Sequence, residues 1–158
     1  MDWKAWATFG LAATAALTGI MVVSQVAGFS RLDIPMLLGT IFIEDPDRAR
    51  VVGSLIHIVN GQAFAVLYLL AFSSLGWSTW WLGAMFGLAH GLAASILIIP
   101  MMPGFHPRMA SESQGRSLNH VLEPPGLMGL HYGTRTPVVV LFAHLIYGAI
   151  LGATLGQR

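Results

Sequence analysis

The chain has 158 residues, of which 55% are hydrophobic and only 9% charged, and its net charge is +1. Soluble domains carry roughly 25% charged residues, so this composition belongs to a membrane protein, and a near-neutral chain without a basic run gives no reason to expect nucleic acid as a partner. Cysteine is absent, which excludes disulfides, thiolate metal sites, Cys-attached haem and a cysteine nucleophile.

The first predicted span covers residues 5–28. Trp3 and Trp6 stand at its start, where an aromatic belt lies. Gly10, Thr14 and Thr18 share one helix face and read as packing. The segment is too long for an ordinary signal-peptide core and lacks a strongly basic start, so it reads as a retained span. The stretch IPMLLGTIFI follows, opened by Asp33 and Pro35. Ten residues cannot cross a bilayer, which predicts an interfacial or re-entrant helix. Asp45-Pro46-Asp47 then starts another helix, with an acidic first turn that suits the helix dipole.

The second span covers residues 51–75. Gly53, His57, Gly61 and Ala65 recur every four residues on one face, with Asn60 and Gln62 beside them. Trp77, Trp80 and Trp81 mark the interface at the turn into the third span, residues 80–102. That span carries Gly83, Gly87 and Gly91 in one row with His90 alongside, and Pro100 and Pro103 are expected to end or kink it. A long loop then holds His106, His120 and His131 together with Arg108, Arg116 and Arg135. Loops of this length are uncommon unless they are functional. It reads as a structured cap with a short helix near residues 117–123, before Pro124-Pro125-Gly126.

The fourth span, residues 137–156, has no charged side chain and is about 30 Å long, the thickness of one bilayer core. Pro137 suits its first turn. His144, Gly148, Gly152 and Gly156 form one row, and small residues at this spacing let another helix approach closely.

Four spans put both termini on one side and the two long loops on the other. His57 and His144 then lie about 10 Å below the loop-side surface, at equal depth, with His90 near the midplane. Met21, Met36, Met101, Met102, Met109 and Met128 fall in the same half as the histidines. The loop side carries Arg31, Arg48, Arg50, Arg108, Arg116 and Arg135, and the terminal side only Lys4 and Arg158. The positive-inside rule places the loops in the cytoplasm.

Several chemistries stay open on these residues. A bis-histidine haem b would use His57 and His144, with Asn60, Gly61 and Gly148 around the macrocycle. A copper site would draw on His57, His90, His144, His106, Met101 and Met102, because thioether and imidazole suit Cu(I). No His-Glu-x-x-His sequence or paired histidine box supports a zinc enzyme or a di-iron hydroxylase. No acidic or basic residue lies inside a span, which counts against a proton-driven carrier. A quinone or lipid headgroup could hydrogen-bond to a mid-depth histidine with Asn60 and Arg135. In the plainest reading the histidines join helices by hydrogen bonds and the glycine rows receive a protein partner or a second copy.

The segments DIPMLLG, HIVNGQAF and HYGTRTPVVVLFAHLIYGAILG resemble a group of small bacterial four-helix membrane proteins with no assigned function. The resemblance implies that His57, Asn60, Gly61, Pro137, His144, Tyr147 and Gly148 belong to a shared site or packing motif. It brings no activity, cofactor or partner with it. The expectation is an all-α polytopic membrane protein of one domain, residues 1–158, with four transmembrane helices, a short interfacial helix and a structured loop between spans 3 and 4. Its expected role is an accessory or scaffold subunit of a larger membrane assembly, with a His-containing polar site in the loop-side half, rather than an enzyme. The alternatives are a haem- or copper-binding redox protein and, third, an enzyme acting on a lipid or quinone.

Overall fold

The computed structural model describes residues 2–111 and 122–155. Four helices in it are long and apolar enough to cross a membrane: Trp3–Val26, Pro46–Leu75, Trp80–Gly104 and Thr136–Thr154. We call them spans 1 to 4. A six-residue helix, Ile34–Gly39, lies between spans 1 and 2. The protein is therefore an all-α polytopic membrane protein, as its composition requires.

Short-range chemistry sets the helix starts. Asp2 caps span 1 by accepting from the backbone amides of Lys4 and Ala5. Asp33 caps the short helix through the Met36 amide, and Asp45 caps span 2 through the Arg48 amide. Thr79 does the same for span 3 through Leu82. Each cap satisfies an amide hydrogen that the first turn leaves without a helical partner. Span 2 ends on Gly76, whose φ of 73° is the left-handed conformation that glycine adopts freely.

Pro100 neither ends nor sharply breaks span 3. The helix widens into a π turn over Ala94–Ile98 and continues to Gly104. Proline has no amide hydrogen, and its ring crowds the carbonyl one turn earlier. The wider turn, in which the Ile99 amide bonds to the Ala94 carbonyl, absorbs both effects. Among the described residues of the loop after span 3, Met109 and Leu122 form a bridge, and Leu122 is not helical. The rest of the helix expected near residues 117–123 lies mostly outside the described residues. The helical turn in this cap comes later, at Leu127–Tyr132, after the Pro124-Pro125-Gly126 break.

The glycine rows close the bundle from within. A Cβ on Gly83 would run into the Gly148 carbonyl and Gly152, and one on Gly148 into the Gly83 carbonyl and Gly87. Spans 3 and 4 therefore pack backbone to backbone, the tightest pairing in the chain. Gly53 receives Pro35 of the short helix, Gly39 receives Ala49, and Gly61 receives Thr14 of span 1. The described glycines of these rows are met by the chain itself; Gly156 lies outside the described residues.

Span 1 packs on spans 2 and 4, and span 4 packs on span 3. The backbones of spans 2 and 3 are not closely packed. They meet through side-chain rings in the half nearer the termini, where Phe72 and Phe86 stack at 5.6 Å and Tyr68 lies edge-on to Phe86 at 6.2 Å. The bundle is thus a ring of four helices that is open between spans 2 and 3 on the side of the loops.

Candidate functional site: an apolar cavity with three histidines

The gap between spans 2 and 3 is a cavity of about 370 Å³. Span 1 contributes Thr14, Leu17 and Met21 to its wall, and the short helix contributes Ile34 and Leu37. Span 3 adds Leu97 and Ile98 from the π turn, and Phe105 stands at the loop end. Leu97, Ile98 and Phe105 are each more than half exposed, so the mouth opens sideways onto the lipid-facing surface of the bundle. No Asp, Glu, Lys or Arg lines the cavity among the described residues. Its polar groups are few: His57 and Asn60 from span 2, His90 from span 3, and His144 and Tyr147 from span 4. An apolar cavity with a small number of convergent polar groups is the usual form of a small-molecule site.

The hydrogen bonds of these groups define what the cavity still offers. His144 Nδ1 donates to the Val140 carbonyl at 2.8 Å. His90 Nδ1 pairs with the Tyr68 hydroxyl at 3.4 Å, and its ring lies on Phe64 at 4.0 Å between centroids. The Tyr147 hydroxyl donates to the Gly61 carbonyl at 2.6 Å and ties span 4 to span 2. His57 Nδ1 is buried and has no partner among the described residues. A buried polar atom without a partner costs on the order of 1–3 kcal/mol, so it points to something that the protein alone does not supply.

Most of the residues singled out in the sequence meet here. His57, His90, His144, Asn60, Gly61 and Met102 line the one cavity. Gly148 does not line it, and instead sets the approach of span 4 to span 3. The ring that His144 touches belongs to His90, at 4.8 Å and nearly perpendicular.

Among the described residues no group of three or more His, Asp and Glu side chains is arranged to hold a metal ion. The loop residues expected in a copper site do not join the three histidines as one donor set. Met101 is 62% exposed while its neighbour Met102 is 5% exposed, so the two thioethers diverge. His106 is buried with both ring nitrogens engaged: Nε2 donates to the Leu37 carbonyl at 2.9 Å, and Nδ1 accepts from the Arg108 amide at 3.2 Å. That arrangement leaves it no lone pair for a metal. Burial holds the His106 imidazole below its usual pKa. His106 and Arg108, which also reaches the Thr40 carbonyl and Glu44, latch the loop onto the end of the short helix. His131 donates from Nδ1 to the Pro124 carbonyl within the cap. There the Tyr132 hydroxyl bonds to the Glu123 carbonyl, and burial pushes its pKa up to about 12. His120 lies outside the described residues.

Two residues escaped the sequence reading. Tyr68 follows His57, Gly61 and Phe64 on one helix face and reaches His90; the spacing was available to find it. Ser95 sits in the π turn with its hydroxyl fully buried and without a partner. Only the turn explains it, because a serine in a regular helix bonds back to the carbonyl four residues earlier. Gln62, singled out beside Asn60 in the sequence, bridges spans 1 and 2: its side-chain amide donates to the Ala7 carbonyl and its backbone carbonyl accepts from Trp6 Nε1, while its buried Oε1 has no partner among the described residues.

The fold and cavity define a multi-pass, helical membrane protein with an intramembrane pocket. Compared with protein-family models, curated proteins and solved structures, the chain has no match.

Proposed function

We propose that this protein is a small membrane-embedded binding subunit that holds a lipid-soluble molecule in the cavity between spans 2 and 3. The observation that carries this is the unpaired Nδ1 of His57, buried in a cavity whose walls are otherwise almost wholly apolar. Such walls suit an apolar body, and the imidazoles with Asn60 suit one polar head. The excess of arginine on the loop side supports a bacterial inner membrane with the loops in the cytoplasm.

Native mass spectrometry of the detergent-solubilised protein tests this. The unaltered chain should retain a small molecule at near one per chain. Ala93→Trp, which fills the cavity from an exposed position on its wall, should lose it while keeping the helical content. An empty unaltered chain, or equal retention by the variant, overturns the proposal.

A second reading rests on His57 and His144 sharing the cavity: a haem b held by the two imidazoles. It requires a reduced-minus-oxidised haem spectrum at near one per chain that is lost in both His57→Ala and His144→Ala.

A further inference from the structure

The bonding of His144 specifies the head group that the cavity accepts. In a neutral imidazole one ring nitrogen donates and the other accepts. Nδ1 of His144 faces the Val140 carbonyl, which can only accept, so Nδ1 carries the proton. Nε2 is then an acceptor, and it forms no hydrogen bond among the described residues. The neighbouring groups do not relieve it. The Tyr147 hydroxyl is committed to the Gly61 carbonyl, the Tyr68 hydroxyl to His90, and the Thr14 hydroxyl to the Gly10 carbonyl. These three hydroxyls are therefore spent inside the protein and the Nε2 acceptor remains, with the Asn60 side-chain amide also in the lining.

We infer that the bound molecule carries a hydroxyl group and donates it to Nε2 of His144: it is a lipid-soluble phenol or alcohol. This rests on the binding role proposed above. His57 Nδ1, buried on the facing helix, can serve either face of the same head group, because its tautomer is set by no other partner. The mouth between Leu97, Ile98 and Phe105 leaves the apolar part of the molecule in contact with lipid.

The test compares 4-nonylphenol with its methyl ether, which keeps the shape and removes the donor. Binding to the full chain in detergent is measured by isothermal titration calorimetry against empty micelles. The phenol should bind about tenfold more tightly, the consequence of one unmade hydrogen bond to a buried acceptor. In His144→Phe that preference should vanish while both probes still bind. In the unaltered protein the ¹⁵N resonance of His144 Nε2 should move with the phenol and not with the ether, a readout that survives if the variant does not fold. Equal affinity for the two probes, or a preference that persists in His144→Phe, overturns the hydroxyl inference and leaves the binding role standing. If neither probe binds, the binding role itself fails and the inference fails with it.

Discussion

A single methyl group added at Gly148 tests the backbone-to-backbone contact of spans 3 and 4. In Gly148→Ala the new Cβ would fall on the Gly83 carbonyl oxygen and within 2.8 Å of the backbone of Gly87. Both obstacles are backbone, so no side-chain rotation relieves the clash, and spans 3 and 4 must separate. Forcing extra volume into a packed contact costs about 1–3 kcal/mol. Gly19→Ala is the internal control: it lies in span 1, and its Cβ meets nothing within 4 Å. There alanine should be neutral or stabilise by about 0.5–1 kcal/mol through helix propensity. Unfolding free energies in mixed micelles of mild detergent and dodecyl sulfate compare the two, and gel filtration reports the mass. Gly148→Ala should lose stability with no change of mass, because its contact is internal. Equal effects at the two positions, or a change of mass with stability intact, would refute the assignment of this row to the span 3–span 4 contact.

Tyr147→Phe removes the 2.6 Å bond to the Gly61 carbonyl and should cost about 0.5–1.5 kcal/mol in the same unfolding assay; no loss would mean that this bond does not join spans 2 and 4. Ser95→Ala deletes a buried hydroxyl without a partner and should be neutral or stabilise by up to about 1 kcal/mol, whereas a clear loss would show that the hydroxyl is paired. His106 has a folded pKa below its ordinary value near 6.5, so its neutral form is the one that the latch accepts. Its stabilising contribution is therefore complete above about pH 6.5 and is lost as the pH falls through the depressed folded value. Thermal stability followed from pH 7.5 downward should fall in the unaltered protein and fall less in His106→Gln; parallel curves would remove His106 from the latch.

The helix starts were legible because capping is local. Asp33 and Asp45 each satisfy an amide three residues away, and no distant part of the chain alters that geometry. The span lengths were legible for a similar reason, since hydrocarbon imposes one length on every helix that crosses it. Pro103 lies in the turn that closes span 3, while at Pro100 the helix continues because the preceding turn, Ala94–Ile98, widens. The candidate site was half legible. An imidazole inside an apolar span stands out from its neighbours, so His57, His90 and His144 were each visible, but their meeting in one cavity was not.

The amino-acid sequence alone determined that this chain is helical, apolar and long enough to span a membrane four times, since these follow from composition and from contacts a few residues apart. The tertiary structure decided which surfaces meet. A glycine row permits a close approach without naming the helix that makes it. Folding gave Gly83 and Gly87 to span 4, Gly53 to the short helix and Gly61 to span 1. With those rows filled from within, spans 2 and 3 were left apart on the loop side, and the histidines came to line the space between them.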